Sequence, residues 1–156
     1  MGIEVGQYAP DFTLFNTEKK TVSLSDFKGE NVLILFFPLA FTSVCTVELC
    51  AVRDNISFYS NVNATVLGIS VDSLYALGAF KSAQNLNIPL LSDFNKTVST
   101  AYEAMYETFS YGMKGVSKRA AFIVDKESKI AYAEVLENAG DQPNFASITS
   151  VLKTLS

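Results

Sequence analysis

The run Val32-Leu33-Ile34-Leu35-Phe36-Phe37-Pro38-Leu39-Ala40-Phe41-Thr42-Ser43-Val44-Cys45-Thr46-Val47-Glu48-Leu49-Cys50 decides how this chain is read. Asn31 to Phe37 is almost continuously apolar, the pattern of a strand covered on both faces. Apolar residues then recur at Cys45, Leu49, Val52, Ile56 and Tyr59, which is helical spacing. Thr42 to about Val62 therefore predicts one long helix, with Thr42 or Ser43 as its cap. Cys45 falls where the buried strand has given way to the helix. Backbone N–H groups at such an end lack partners within the helix, so they favour negative charge on a sulfur placed there.

Outward from this unit, the flanking segments predict a mixed α/β protein. Asp11 to Phe15 and Thr21 to Leu24 alternate polar and apolar residues across a polar stretch, as in an N-terminal hairpin. Ser25 to Gly29 reads as a short helical turn ending at glycine. Ala64 to Val71 is the next buried strand. Ser73 to Asn85 is a helix capped by Asp72 or Ser73, Pro89 to Asp93 is a short strand, and Asn95 to Met105 is another helix. Ala120 to Asp125 and Ile130 to Val135 flank a Lys126-to-Lys129 turn and predict an antiparallel hairpin. Phe145, Ile148, Val151, Leu152 and Leu155 line one side of a last helix over Asn144 to Leu155. The order β-β-β-α-β-α-(β)-α-β-β-α implies a mixed sheet with helices on both faces. At 156 residues, with no internal repeat or linker, residues 1–156 are expected to form a single domain.

Composition removes several function classes. The chain is 49% hydrophobic and 18% charged, which argues against disorder, and its net charge of −4 gives no support for nucleic-acid binding. No window reaches membrane-spanning length without polar residues. The opening Met1 to Gly6 lacks a charged segment followed by an apolar one, and Met1-Gly2 lacks the serine or threonine of a myristoylation pattern. A soluble cytoplasmic protein is the expectation. Two cysteines cannot form a disulfide-dense scaffold. With no histidine at all, they cannot complete a closed zinc site either. Every Cys-His and Ser-His catalytic arrangement is also excluded, so a nucleophilic Cys45 needs help from the helix N-terminus and from an arginine. Only Arg53 and Arg119 are available.

The spacing Pro38-x-x-x-Thr42-x-x-Cys45 resembles the active-site signature of the peroxiredoxins, cysteine-based peroxidases. The resemblance extends to Ala9-Pro10-Asp11-Phe12, to Leu91-Ser92-Asp93, and to Arg119 at the head of Ala120-Ala121-Phe122-Ile123-Val124-Asp125. It implies a thioredoxin-like core with the first forty residues supplying the N-terminal hairpin and the first core strand. It implies Cys45 as the peroxidatic cysteine, Thr42 as the hydroxyl touching sulfur and peroxide, Pro38 as the shield against bulk water, and Arg119 as the cation at sulfur and peroxide. Supporting positions are Val44 beside the cysteine, Glu48 in the first helical turns, and Arg53 in an Arg-Asp pair. The implied substrate is hydrogen peroxide or an alkyl hydroperoxide, and no metal or organic cofactor is required. A thioredoxin-like dithiol protein is the implied reductant, and the implied state is a monomer or homodimer.

Cys-x4-Cys within one helix resembles the bacterioferritin-comigratory, or Q-type, class, with some E-type resemblance in Pro38 to Thr42. In the Q-type class the second cysteine, here Cys50, resolves the sulfenic acid as an intramolecular disulfide. Helical positions five apart differ by about 140° around the axis and about 7.5 Å along it, beyond the reach of a disulfide. Bonding Cys45 to Cys50 therefore requires the helix to unwind. The residues leave other readings open. Cys45 and Cys50 are also the kind of small apolar residues that fill cores. Glu48 also fits the positive end of the helix dipole, and Arg119 also fits a solvated strand start. Cys50 could be inert in a one-cysteine peroxidase that an external thiol resolves. The same thiol could serve a non-enzymatic redox sensor or holdase. Met105, Tyr106, Tyr111 and Met113 could line an apolar collar or a subunit contact, or pack as an ordinary loop. Asp93 and Asp125 stand at strand ends with no partner visible.

Overall fold

Each apolar run becomes a strand of one seven-stranded sheet in the computed structural model, which describes residues 3–156. Met1 and Gly2, where the leader and myristoylation readings begin, lie outside the described residues. The strands are β1 Thr13–Asn16, β2 Thr21–Ser23, β3 Asn31–Phe36, β4 Ala64–Ser70, β5 Leu90–Ser92, β6 Ala120–Val124 and β7 Ile130–Val135, arranged as β2-β1-β5-β4-β3-β6-β7. The helices are α1 Ser43–Asp54, α2 Ile56–Asn61, α3 Leu74–Ala83, α4 Thr97–Ala101 and α5 Phe145–Leu155, with single turns at Leu24–Phe27 and Ser110–Gly112.

Strand β3 is buried at every position and divides the core. Leu33, Leu35 and Phe37 pack with Cys45, Leu49 and Val52 of α1, Leu77 and Phe80 of α3, and Ile148 and Leu152 of α5. Val32, Ile34 and Phe36 face the other way, toward Phe12, Leu14, Val98, Tyr102 and Phe122. An alternating strand can feed two cores only if both faces are covered, as its unbroken apolar sequence requires.

Register brings distant sequence to one edge of the sheet. β3 and β4 run parallel with Phe36 opposite Ile69, while β6 is antiparallel to β3 with Ala120 opposite Phe36. β7 is antiparallel to β6, with Val135 opposite Ala120. The exits of β3, β4 and β7 and the entry of β6 therefore meet. The segments that continue from them carry Pro38 and Cys45, Asp72, Ala139 and Arg119.

Three expectations are corrected. The long helix over 42–62 is broken at Asn55, whose φ of −109° and ψ of 16° leave the helical range and separate α1 from α2. Asp54-Asn55 places two poor helix formers together, and the Asn55 N–H falls back on Val52 O at 3.1 Å. Ile56 and Tyr59 still reach the core, which is why their periodicity survives the break. The helix over 95–105 shrinks to Thr97–Ala101, closed on one side by Lys96 at φ 66° and on the other by Glu103 at φ 54°. Asp93, for which the sequence offered no partner, is 1% exposed and caps this helix, accepting from Val98 N at 3.1 Å and Ser99 N at 2.6 Å. Asp125 likewise accepts from Glu127 N and Lys129 N and closes the β6–β7 turn.

Asp93→Ala is expected to lower unfolding free energy by about 2–4 kcal/mol, because two amide donors lose a charged acceptor that water cannot replace. Urea denaturation measures this, and Asp93→Asn should recover part of the loss.

Candidate active site

Pro38 ends the apolar run and is buried, so the chain leaves the sheet at a residue with no N–H to satisfy. The four residues that follow are held on three sides. Ala40 N donates to Asp72 Oδ2 at 2.8 Å, and the same oxygen accepts from Ser70 Oγ at 2.7 Å. Ser92 Oγ in turn donates to Asp72 O at 2.6 Å. Thr42 Oγ1 donates to Leu39 O at 2.8 Å. Phe41 has φ 69°, a strained value for a bulky residue, and its ring packs on Phe80 of α3 with centroids 5.1 Å apart. Of the two residues expected to cap α3, Asp72 or Ser73, it is Ser73 that does so, accepting from Ala76 N. Asp72 supports the loop ahead of α1, a role that no sequence motif marked.

Thr42 occupies the N-cap position of α1 with extended backbone, yet its side chain makes no capping bond. The first N–H bonded within the helix in this turn is that of Thr46, to Thr42 O. The Val44 and Cys45 amides precede it, at the positive end of the helix dipole. The Thr42 hydroxyl, its proton committed to Leu39 O, keeps lone pairs that can accept from an incoming O–H. Cys45 itself is fully buried, beneath a cleft of about 330 Å³ whose lining includes Thr42, Ser43, Val44 and Arg119.

Arg119 arrives from the entry of β6 and is 2% exposed. Its Nη1 donates to Glu48 Oε1 at 2.7 Å, and its Nε and Nη2 both donate to Ala139 O, at 3.2 Å and 2.9 Å. Three of the five guanidinium N–H groups are thereby used, which leaves two to serve the cleft. Burial works against the Arg119 charge. The Cys45 sulfur and the Glu48 carboxylate outweigh it, so the guanidinium holds its proton more tightly than usual.

Glu48 is 0% exposed, one turn along α1 from Cys45, and its second oxygen has no hydrogen-bond partner. Burial pushes its carboxyl up from 4.5 to about 7, with the Arg119 charge and hydrogen bond pulling the other way. A pair of this kind is costly to break from one side, on the order of 3–5 kcal/mol, because the survivor is a buried lone charge.

The structure thus brings Pro38, Thr42, Val44, Cys45, Glu48 and Arg119 to one place. Arg53 points elsewhere, to Asp54 Oδ1 at 2.9 Å and to Gln84 O. Cys50 is half-buried on α1 and free, as is Cys45. Of the expected collar, Tyr111 and Met113 line the cleft beside Phe109. Met105 and Tyr106 belong to a neighbouring polar hollow of about 740 Å³ lined by neither Thr42 nor Arg119. A groove of about 500 Å³ between β1 and the start of α3 also lacks both, so size does not mark the candidate site here. The Ala139 carbonyl was invisible in the sequence, since any residue offers one. Among the described residues no group of three or more His, Cys, Asp or Glu side chains comes together to hold a metal ion. Among the described residues no helix is long and apolar enough to cross a membrane.

A buried thiol at an uncapped helix start thus lies beside a buried arginine that a carboxylate holds. The model of the AhpC/TSA family matches residues 5–133, and the chain belongs to that family. Among its relatives, peroxiredoxin Bcp of Bacillus subtilis is 34% identical over 131 residues, covering 83% of each chain. The crystal structure of peroxidoxin BcpB from Mycobacterium tuberculosis superposes with a TM-score of 0.87 at 26% identity over 99% of both chains. The bacterioferritin comigratory protein of Xanthomonas campestris, solved in work on its alkyl peroxide reduction activity, shares the fold with a TM-score of 0.83 at 22% identity, over 97% of this chain and 98% of that one. The fold is the thioredoxin-like one of the peroxiredoxins, the thiol peroxidases, and the named relatives are of the Bcp type.

Because Glu48 holds its proton more tightly folded than unfolded, the stability it contributes is full at low pH and falls as pH rises through about 4.5 to 7. The stability of the wild type relative to Glu48→Gln is therefore expected to drop by on the order of 2 kcal/mol between pH 5 and pH 8. Urea denaturation of both proteins at the two pH values measures this, and a difference that stays level or rises would refute the assignment.

Proposed function

We propose that residues 1–156 form one thioredoxin-like peroxidase domain in which Cys45 reduces hydrogen peroxide and alkyl hydroperoxides. The Cys45 thiolate attacks the terminal peroxide oxygen, the O–O bond breaks, and sulfur becomes a sulfenic acid while the other oxygen leaves as an alkoxide or hydroxide that takes up a proton. The leaving oxygen gains negative charge in the transition state, so donors already in place accelerate the step. The two unused Arg119 N–H groups and the first amides of α1 are such donors. The Thr42 hydroxyl oxygen accepts from the peroxide O–H. Pro38 keeps water from the sulfur, Val44 walls the cleft, and Glu48 positions Arg119 without touching substrate. Arg53 is a structural support. The observation that carries this reading is the Glu48–Arg119 bond of 2.7 Å, which holds a buried cation beside the buried Cys45 thiol and so supports it as the reacting group.

Cys50 then condenses with the sulfenic acid, and a thioredoxin-like dithiol protein in the cytoplasm returns both cysteines to thiols. The protein works as a monomer or homodimer, with no cofactor and without nucleic acid or membrane partners. Along a continuous helix the two Cα atoms are about 8–9 Å apart, too far for a disulfide. The first turns of α1 must therefore melt during resolution. The separation that a wound α1 imposes on the two cysteines also suits one alternative, a one-cysteine peroxidase resolved by an external thiol, which needs no unwinding.

Cys45→Ser is expected to abolish turnover, and Cys50→Ser to permit a single round of oxidation. Arg119→Met should slow the first oxidation by about 100-fold or more, the scale of losing a transition-state donor. Stopped-flow peroxide consumption tests all three. Mass spectrometry after one equivalent of peroxide separates the two resolution routes: loss of two hydrogens marks the disulfide, and a lasting gain of one oxygen marks the one-cysteine route. A Cys45→Ser protein that still turns over peroxide sinks the proposal.

A further inference from the structure

Cys50 does not sit in an empty space. Its thiol donates to Gln84 Oε1 at 3.6 Å, at the residue that ends α3. Gln84 uses its backbone as well, since its carbonyl accepts from Arg53 Nη1, three residues further along α1. Asn87 Nδ2 adds a third tie, to Arg53 O at 3.4 Å. The half of α1 that carries Cys50 is thus fastened to the end of α3, and two of the three fastenings fall on one residue. Neither Gln84, Asn87 nor Arg53 touches Cys45 or takes a role in its oxidation by peroxide.

We propose that Gln84 is a positioning residue for the second cysteine: a latch that holds the Cys50 thiol on α3, away from Cys45, and so sets the lifetime of the Cys45 sulfenic acid. This rests on the reading of Cys50 as the resolving cysteine. The bond to Gln84 is made by the S–H form, whereas the attacking species in disulfide formation is the thiolate. For resolution the bond must open and the end of α1 must leave α3. The Cys50 sulfur then attacks the Cys45 sulfur, the S–O bond breaks, and the hydroxyl leaves as water with the proton from the thiol. While the latch is closed, a competing step is open to a second peroxide molecule. The Cys45 sulfur attacks it, the O–O bond breaks, one oxygen passes to sulfur to give the sulfinic acid, and the other leaves as alcohol or water. Latch strength therefore decides how a sulfenic acid is shared between a reversible disulfide and an irreversible sulfinic acid.

Gln84→Leu removes the acceptor at similar volume and leaves the backbone carbonyl in place, while Gln84→Glu keeps an acceptor. Quenched-flow mixing with hydrogen peroxide, followed by sulfenic-acid trapping and mass spectrometry, reads each step separately. In Gln84→Leu the first oxidation of Cys45 is expected to keep its wild-type rate. Disulfide formation should rise about two- to tenfold, the range that one net hydrogen bond supplies. The sulfinic fraction at high peroxide should fall by a similar factor, and Gln84→Glu should resemble the wild type. Arg53→Met, which frees the same helix end without touching the Cys50 bond, should accelerate the disulfide as well. A disulfide rate in Gln84→Leu equal to or below that of the wild type, with the first step intact, overturns the latch alone. A wild-type protein that oxidises Cys45 but never forms the disulfide overturns the resolving role of Cys50, and the latch with it.

Discussion

Arg119 and Glu48 share a buried hydrogen bond of 2.7 Å, and neither group would be tolerated in that place alone. The pair ties the entry of β6 to the second turn of α1. It fixes a cation beside Cys45 in a chain without histidine. The Ala139 carbonyl, just past β7, takes two more guanidinium N–H groups and so fixes the plane of the fork. What is left over, two N–H groups and an uncapped helix start, faces the cleft. The proposed reactive centre consists of donors that the fold has not used.

The same economy explains why so few side chains are needed. The proposed oxygen chemistry asks for donors placed in advance. A strand that ends at Pro38, a loop hung from Asp72, and a helix begun without a side-chain cap supply that placement. Phe41 holds a left-handed backbone within that loop, a strain that packing on Phe80 offsets. The strain sits at the residue just before Thr42, where loop geometry decides which way the hydroxyl points.

Under the proposed resolution by Cys50, helix α1 carries two opposed demands. Its first turns have to stay wound for donors to face the sulfur, and have to unwind for Cys45 to meet Cys50. Its two ends are held by different means: the N-terminal half by the ion pair and by buried Cys45 and Leu49, the C-terminal half by contacts to the end of α3. The break at Asn55 keeps α1 short, so changes in its winding need not propagate into α2.

Residues 31–50 were legible because burial leaves a mark on every residue of a covered strand and on every third or fourth residue of a helix. The strand at 31–36, the helix carrying Cys45, the 120–135 hairpin and the last helix followed from that periodicity. The break at Asn55 and the early end of α4 at Ala101 were not legible, since apolar spacing continues across both. Their causes are a backbone preference at Asp54-Asn55 and the left-handed backbone at Glu103, which no apolar spacing records. Glu48 and Arg119 were readable as candidates but not as a pair. Seventy-one residues separate them, and only the antiparallel register of β6 on β3 makes them neighbours. The roles of Asp72, Gln84 and the Ala139 carbonyl belong wholly to the tertiary structure. A hydrogen bond depends on where two groups end up, and no local pattern in a chain records the position of an acceptor that reaches it from another strand or helix.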